Sequence, residues 1–170
     1  MIRVQEGSRD AFERLVTRWQ DRLWRHAYRL TGREDAAWDV MQDSWMRVTR
    51  GLTRLKDPSS FRRWAYTIVT RSAVDRARRE GREEAVSLES PDLEAADETE
   101  RTEREEAVAL LRAALRRLPR EQRVVVSLRY LEDFELWELA EILGLPEGTV
   151  KSRLYHARQS LRDMIERMQR

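Results

Sequence analysis

The stretch "LWELAEILGLPEGTVKSRLY", residues 136–155, constrains the fold of this 170-residue chain more than any other. Ala140 is small where two helices must cross closely. Gly144 stands where the turn between them calls for a positive φ, which glycine takes without steric cost. Leu145 plugs the turn, and Val150 and Leu154 bury the second helix against the first. Pro146 fits a first helical turn, where its missing N–H is not needed. This spacing predicts a helix-turn-helix.

The second helix carries a cationic face opposite its apolar one. In such a motif the second helix lies in the DNA major groove and presents its N-terminal residues to base edges. The backbone N–H groups at Gly148 and Thr149 suit a phosphate at the positive end of the helix dipole. Lys151, Ser152, Tyr155 and His156 lie on the side that faces bases, whereas Arg153 and Arg158 suit phosphates. The plain alternative is a packing helix with a solvated face. Turn spacing together with the cationic face favours DNA.

The rest of the chain also reads as helical, with no strand run and no internal repeat. Phe12, Leu15, Val16, Trp19, Leu23, Ala27 and Leu30 form one stripe, with Ser8 as N-cap and Gly32 as stop. Ala37, Val40, Met41, Trp45 and Val48 form a second, ending near Gly51. "DPSS" at 57–60 breaks the chain before a third helix through Phe61, Trp64, Ala65 and Ile68 into Arg76, Arg78 and Arg79. The expected fold class is therefore all-α: two small helical domains, residues 1–80 and 107–170, joined by a flexible acidic linker, 81–106.

Charge supports that division. The net charge of +2 hides a basic first half, 19 Arg/Lys against 13 Asp/Glu over residues 1–85. Residues 86–106 hold 2 against 9, and residues 107–170 hold 12 against 9. Two basic modules around an acidic connector point to a polyanionic partner. Cysteine is absent, which excludes disulfides and thiolate metal sites. No signal peptide and no membrane-spanning run is evident, so the expected location is cytoplasmic, without membrane insertion.

Three segments in order carry a family resemblance. "LRRLPREQRVVVSLRYLEDFELWELAEILGLPEGTVKSRLYHARQSLR" (115–162) resembles region 4 of bacterial sigma factors of the extracytoplasmic-function (ECF) group. "DAAWDVMQDSWMRV" (35–48) resembles their region 2 core-binding helix, and "FRRWAYTIVTRSAVDRARR" (61–79) their minus-ten segment. The resemblance implies a non-enzymatic transcription initiation factor. Its implied partners are promoter DNA, the RNA polymerase core (β′ clamp helices and β flap) and an anti-sigma factor. It implies no cofactor and no metal.

The resemblance also implies roles. Asp39, Gln42, Asp43 and Met46 dock on the clamp helices. Arg62, Arg63, Trp64, Tyr66, Arg71, Ser72, Arg76 and Arg79 read and melt the minus-ten element. Gly148, Thr149, Lys151, Ser152, Arg153, Tyr155, His156 and Arg158 read the minus-thirty-five element. Arginines and an aromatic on one helix are themselves suited to a single strand, although Trp64 also fits the core stripe. Five positions depart from the family pattern: Trp38 for an acidic residue, Ser72 for an asparagine, Tyr155-His156 for His-Arg, and Glu135 for a serine-type N-cap. The acidic linker is either a spacer or a mimic of RNA charge inside the polymerase.

Two other readings fit the same residues. A stand-alone dimeric helix-turn-helix regulator would need a seam between copies, for which the Val150–Met168 stripe is available. An all-α metal-dependent phosphohydrolase would use the Asp35, Asp39, Asp43 row, but no second helix carries a matching acidic row.

Overall fold

The computed structural model describes residues 8–79 and 103–168, with side chains in the second stretch from residue 106 onward. Every regular element among them is helical. The linker expectation falls mostly on residues 80–102, outside the described residues.

Helix α1 is Arg9–Thr31. The Ser8 side chain accepts from the Ala11 N–H, satisfying one of the free donors of the first turn. Gly32 closes the helix at φ 74°, donating to the Tyr28 carbonyl. Helix α2 is Glu34–Gly51 and runs on into a 3-10 turn, Leu52–Arg54. The "DPSS" break is a second such turn, Pro58–Ser60, with the Asp57 carboxylate accepting from the Ser59 N–H. Helix α3, Phe61–Arg79, follows without a gap. These three helices bury Leu23, Ala27, Val40, Met41, Val48 and Ala65, from the stripes that the sequence lays out at helical spacing, and Val69 beside them.

The second unit begins with α4, Glu103–Arg117, and α5, Arg120–Val126. Helix α5 widens into a π-type turn at Ser127–Leu131. There the Glu132 N–H reaches the Ser127 carbonyl at 3.1 Å, and the Phe134 N–H reaches that of Leu128. Asp133, between them, has φ 52°. The result is a hook that carries Glu132 and Phe134 out of the helix line. Helix α6, Leu136–Leu143, and α7, Glu147–Met168, complete the unit.

The two units are packed on each other. Tyr66 and Val69 of α3 share one apolar core with Val125, Leu128, Phe134, Leu139, Ile142, Val150 and Leu154. A smaller cluster, Leu118, Val126 and Ala157 with Leu115, Leu161 and Met164, ties α4 and α5 to the far half of α7. Thus α3 contributes to the cores of both units.

Candidate nucleic-acid interface

The turn between α6 and α7 follows from its residues. Gly144 takes φ 64°, and the Leu145 N–H donates to the Ala140 carbonyl at 3.0 Å. This left-handed cap ends α6 and turns the chain. The Pro146 carbonyl then accepts from Thr149 and Val150, starting α7. The start of α6 is better held than Glu135 alone suggests. Glu138 reaches back and accepts from the Glu135 N–H at 2.8 Å, as part of a capping box.

Along α7, Val150, Leu154 and Ala157 are buried. Lys151, Ser152, Tyr155, His156 and Arg158 are exposed, and Gly148 has open space where a side chain would stand. The Tyr155 ring meets His156 edge-on at 5.5 Å, so the two share one corner of the face. Arg153 differs. It is partly buried and bonded to Glu121 of α5 at 2.8 Å. Six of the eight residues expected at the minus-thirty-five element therefore lie along the open side of α7. Thr149 is half-buried with its N–H held by the Pro146 carbonyl, so that N–H is not free for a phosphate, and Arg153 is half-buried and already paired.

The residues expected at the minus-ten element divide more sharply. Arg62 donates to the Glu132 carbonyl and stacks on the Phe134 ring, 4.1 Å from its centroid. Arg63 pairs with Glu141 at 2.7 Å and lies over Trp137. The Tyr66 hydroxyl donates to the Glu132 carboxylate, and its ring meets Phe134 at 5.0 Å. Burial first, and the Glu132 carboxylate second, push the Tyr66 phenol well above its usual range. All three face the second unit. Trp64 lies against Gly51 and Phe61 inside the first unit. Ser72 is buried and hydrogen-bonds Asp43 at 2.9 Å, so its hydroxyl lines no open pocket. Arg76 reaches Asp39 at 2.6 Å. Arg71 and Arg79 are exposed.

On α2 the acidic row is matched by cations. Asp35 bonds Arg33, whose hydrogen bond, followed by that from the Ala36 N–H, holds its carboxyl below the usual range. Asp39 bonds Arg76, and Asp43 bonds both Arg47 and Ser72. This resolves the like-charge repulsion that an i, i+4 row would suffer. Among the described residues no group of three or more His, Asp or Glu is placed to hold a metal ion. Gln42 and Met46 are exposed beside the row. Trp38 is also exposed and leans on Trp24, which stacks on Tyr28 at 5.3 Å. Sequence reasoning missed Arg29, Glu132 and Phe134 as members of this surface. For Glu132 and Phe134 the only signal was the odd "LEDFE" between two helical stripes, and Arg29, on α1, carried none.

The fold and the open face define the class: an all-helical DNA-binding protein with a helix-turn-helix at one end. Residues 15–83 match the family model for Sigma-70 region 2, and residues 109–161 match Sigma-70, region 4. The chain is 28% identical over 173 residues to the ECF RNA polymerase sigma factor SigW of Bacillus subtilis (strain 168), covering 95% of this chain and 92% of that protein. It is 34% identical over 164 residues to the ECF RNA polymerase sigma factor SigE of Mycolicibacterium smegmatis, covering 94% of this chain and 63% of that one. Among solved structures it is similar to the sigma factor RpoE from Bartonella quintana, in complex with the anti-sigma factor NepR. The TM-score is 0.72 and the identity 25%, covering 92% of this chain and 97% of that chain. The chain belongs to the ECF group of the sigma-70 family and is an RNA polymerase sigma factor, a subunit without catalysis of its own.

Proposed function

We propose that α7 reads the minus-thirty-five element of a promoter through its open face, using Gly148, Lys151, Ser152, Tyr155, His156 and Arg158. The observation that carries this is the division of α7. Its apolar stripe is spent inside the chain, while its cationic side stands free just beyond a left-handed turn. Lys151 and the Tyr155-His156 corner meet base edges; Arg158 meets phosphate. The buried stripe leaves no seam for a dimeric regulator at Val150 or Leu154.

In the same reading Arg62, Arg63, Tyr66, Arg71, Arg76 and Arg79 serve the minus-ten element, with Trp64 and Ser72 shaping α3 from inside. Asp39, Gln42, Asp43 and Met46 dock on the β′ clamp helices. The second unit meets the β flap, and an anti-sigma factor covers these docking surfaces. The relative solved with NepR supports that last partner by likeness. The domains at 1–80 and 107–170, with the linker at 81–106, divide the work between the two promoter elements in the cytoplasm.

The test is transcription in vitro with core polymerase on a randomised promoter library. Selected templates should share two elements at fixed spacing, and Lys151→Ala or Tyr155→Ala should shift preference in the upstream one only. A library transcribed without sequence preference refutes the reading.

A further inference from the structure

Glu132, on the second unit, is bonded to three side chains of the first. Its carboxylate receives the Arg29 guanidinium on one oxygen and the Tyr66 hydroxyl on the other, while Arg62 holds its backbone carbonyl. Beside it, the Phe134 ring is stacked under Arg62 and set edge-on to Tyr66. The first unit thus offers a cradle of two guanidiniums, a phenol donor and an aromatic wall. The second unit fills it with one anion and one flat ring.

That pair of shapes matches a nucleotide. Guanidinium and hydroxyl donors bind phosphate oxygens as they bind a carboxylate, and guanidinium planes stack on bases as on a phenyl ring. The hook that presents them is specially built, with a π-type turn and Asp133 held at φ 52°. Such backbone is kept where the surroundings impose it. Glu141 adds a second acid from the same side, on Arg63.

We propose that Glu132 and Phe134 are an internal latch standing in for a nucleotide, and that single-stranded DNA displaces them from Arg29, Arg62 and Tyr66. The phosphate takes the carboxylate's place and a base takes the ring's. Arg29, on α1, becomes a DNA-binding residue, and the chain carries its own competitor for the strand. The proposal rests on α3 handling a single strand, as read above.

The experiment uses the full chain, whose lack of cysteine makes introduced thiols unique. Labels at Thr53→Cys and Asp163→Cys, both on exposed positions of different units, report separation. Oligodeoxythymidine is the probe, its binding read by anisotropy. Adding it to the parent chain should lengthen the distance between labels. Glu132→Gln should lengthen it without DNA and tighten oligonucleotide binding about threefold or more, whereas Glu13→Gln, remote on α1, should do neither. Arg29→Gln should also open the chain but gain no affinity, because the cradle has lost a cation. A label distance that neither DNA nor Glu132→Gln changes overturns the latch. So does an Arg29→Gln variant that gains as much affinity as Glu132→Gln. Promoter-specific transcription by the parent chain is a separate readout. A chain that transcribes but never opens with oligonucleotide loses the latch alone.

Discussion

His26 is fully buried in the first unit, with Nε2 2.9 Å from the Thr70 hydroxyl and its ring 5.0 Å from Tyr66. Burial, reinforced by the Arg29 charge, lowers its pKa from 6.5 to about 3. The folded chain therefore keeps this imidazole neutral where the unfolded chain takes up a proton. With more protons bound when unfolded, stability falls as pH drops below 6.5 and continues to fall towards 3. The slope approaches about 1.4 kcal/mol per pH unit. Urea midpoints measured near pH 7 and near pH 5 should show the loss, and His26→Gln should flatten it. An equal slope in the variant assigns the effect elsewhere. Gly51 gives a second prediction at this scale. A Cβ there would stand 2.7 Å from Cζ2 of Trp64, a rigid ring. Gly51→Ala should cost roughly 1–3 kcal/mol by overpacking, seen as a lower Tm. Sequence spacing marks Gly51 only as the end of a stripe. Its role as the seat for Trp64 depends on a residue from the next helix, which no local pattern reveals.

Helix α7 is the element whose two faces were most legible beforehand, because 3.6-residue periodicity separates them without knowledge of the neighbours. What periodicity cannot show is the partner of each polar residue. Arg153 and Arg158 look alike in sequence, yet Arg153 is bonded to Glu121 and Arg158 lies on the exposed side. Arg158→Ala should lower the salt dependence of promoter binding by about one unit of slope, if one phosphate contact is lost. Arg153→Ala should change that slope less, since its charge is already matched within the chain. Anisotropy titrations on a promoter duplex over a range of salt check both. Equal slopes for the two variants would mean that Arg153 leaves Glu121 when DNA binds. For Lys151 and Tyr155 the readout is sequence preference, with about 1–3 kcal/mol lost where a bidentate base contact disappears. Helix α3 was less legible. Its arginines and Tyr66 read as an open nucleic-acid face, but the surface they meet lies some seventy residues away, beyond the linker, as the Arg62–Glu132 bond illustrates.

At the scale of the molecule, the two faces proposed to read the promoter are in unequal states. The α7 face is open, whereas Arg62, Arg63 and Tyr66 face the second unit through Glu132, Phe134, Trp137 and Glu141. The same side chains cannot stack on Phe134 and on a DNA base at once. If α3 serves the minus-ten element, the units must part before that element is engaged, and the apolar contact between Tyr66 and Phe134 must be given up. Buried aromatic contacts of this kind contribute about 0.5–1.5 kcal/mol beyond their area, so promoter and polymerase contacts have to exceed that cost. Holding the units together should therefore separate the two activities. In a chain carrying Arg63→Cys and Glu141→Cys, a short cleavable thiol cross-linker spans the place of the present 2.7 Å ion pair. The cross-linked protein should still bind a minus-thirty-five duplex through α7 but form no open complex with core polymerase. Cleaving the linker should return transcription to the level of the same double variant before cross-linking, which controls for the loss of Arg63. Equal transcription from the cross-linked and cleaved forms would mean that the closed arrangement is itself the one that melts DNA. In that case the minus-ten strand would have to run over Arg71, Arg76 and Arg79, the stretch of α3 beyond the Glu132 hook.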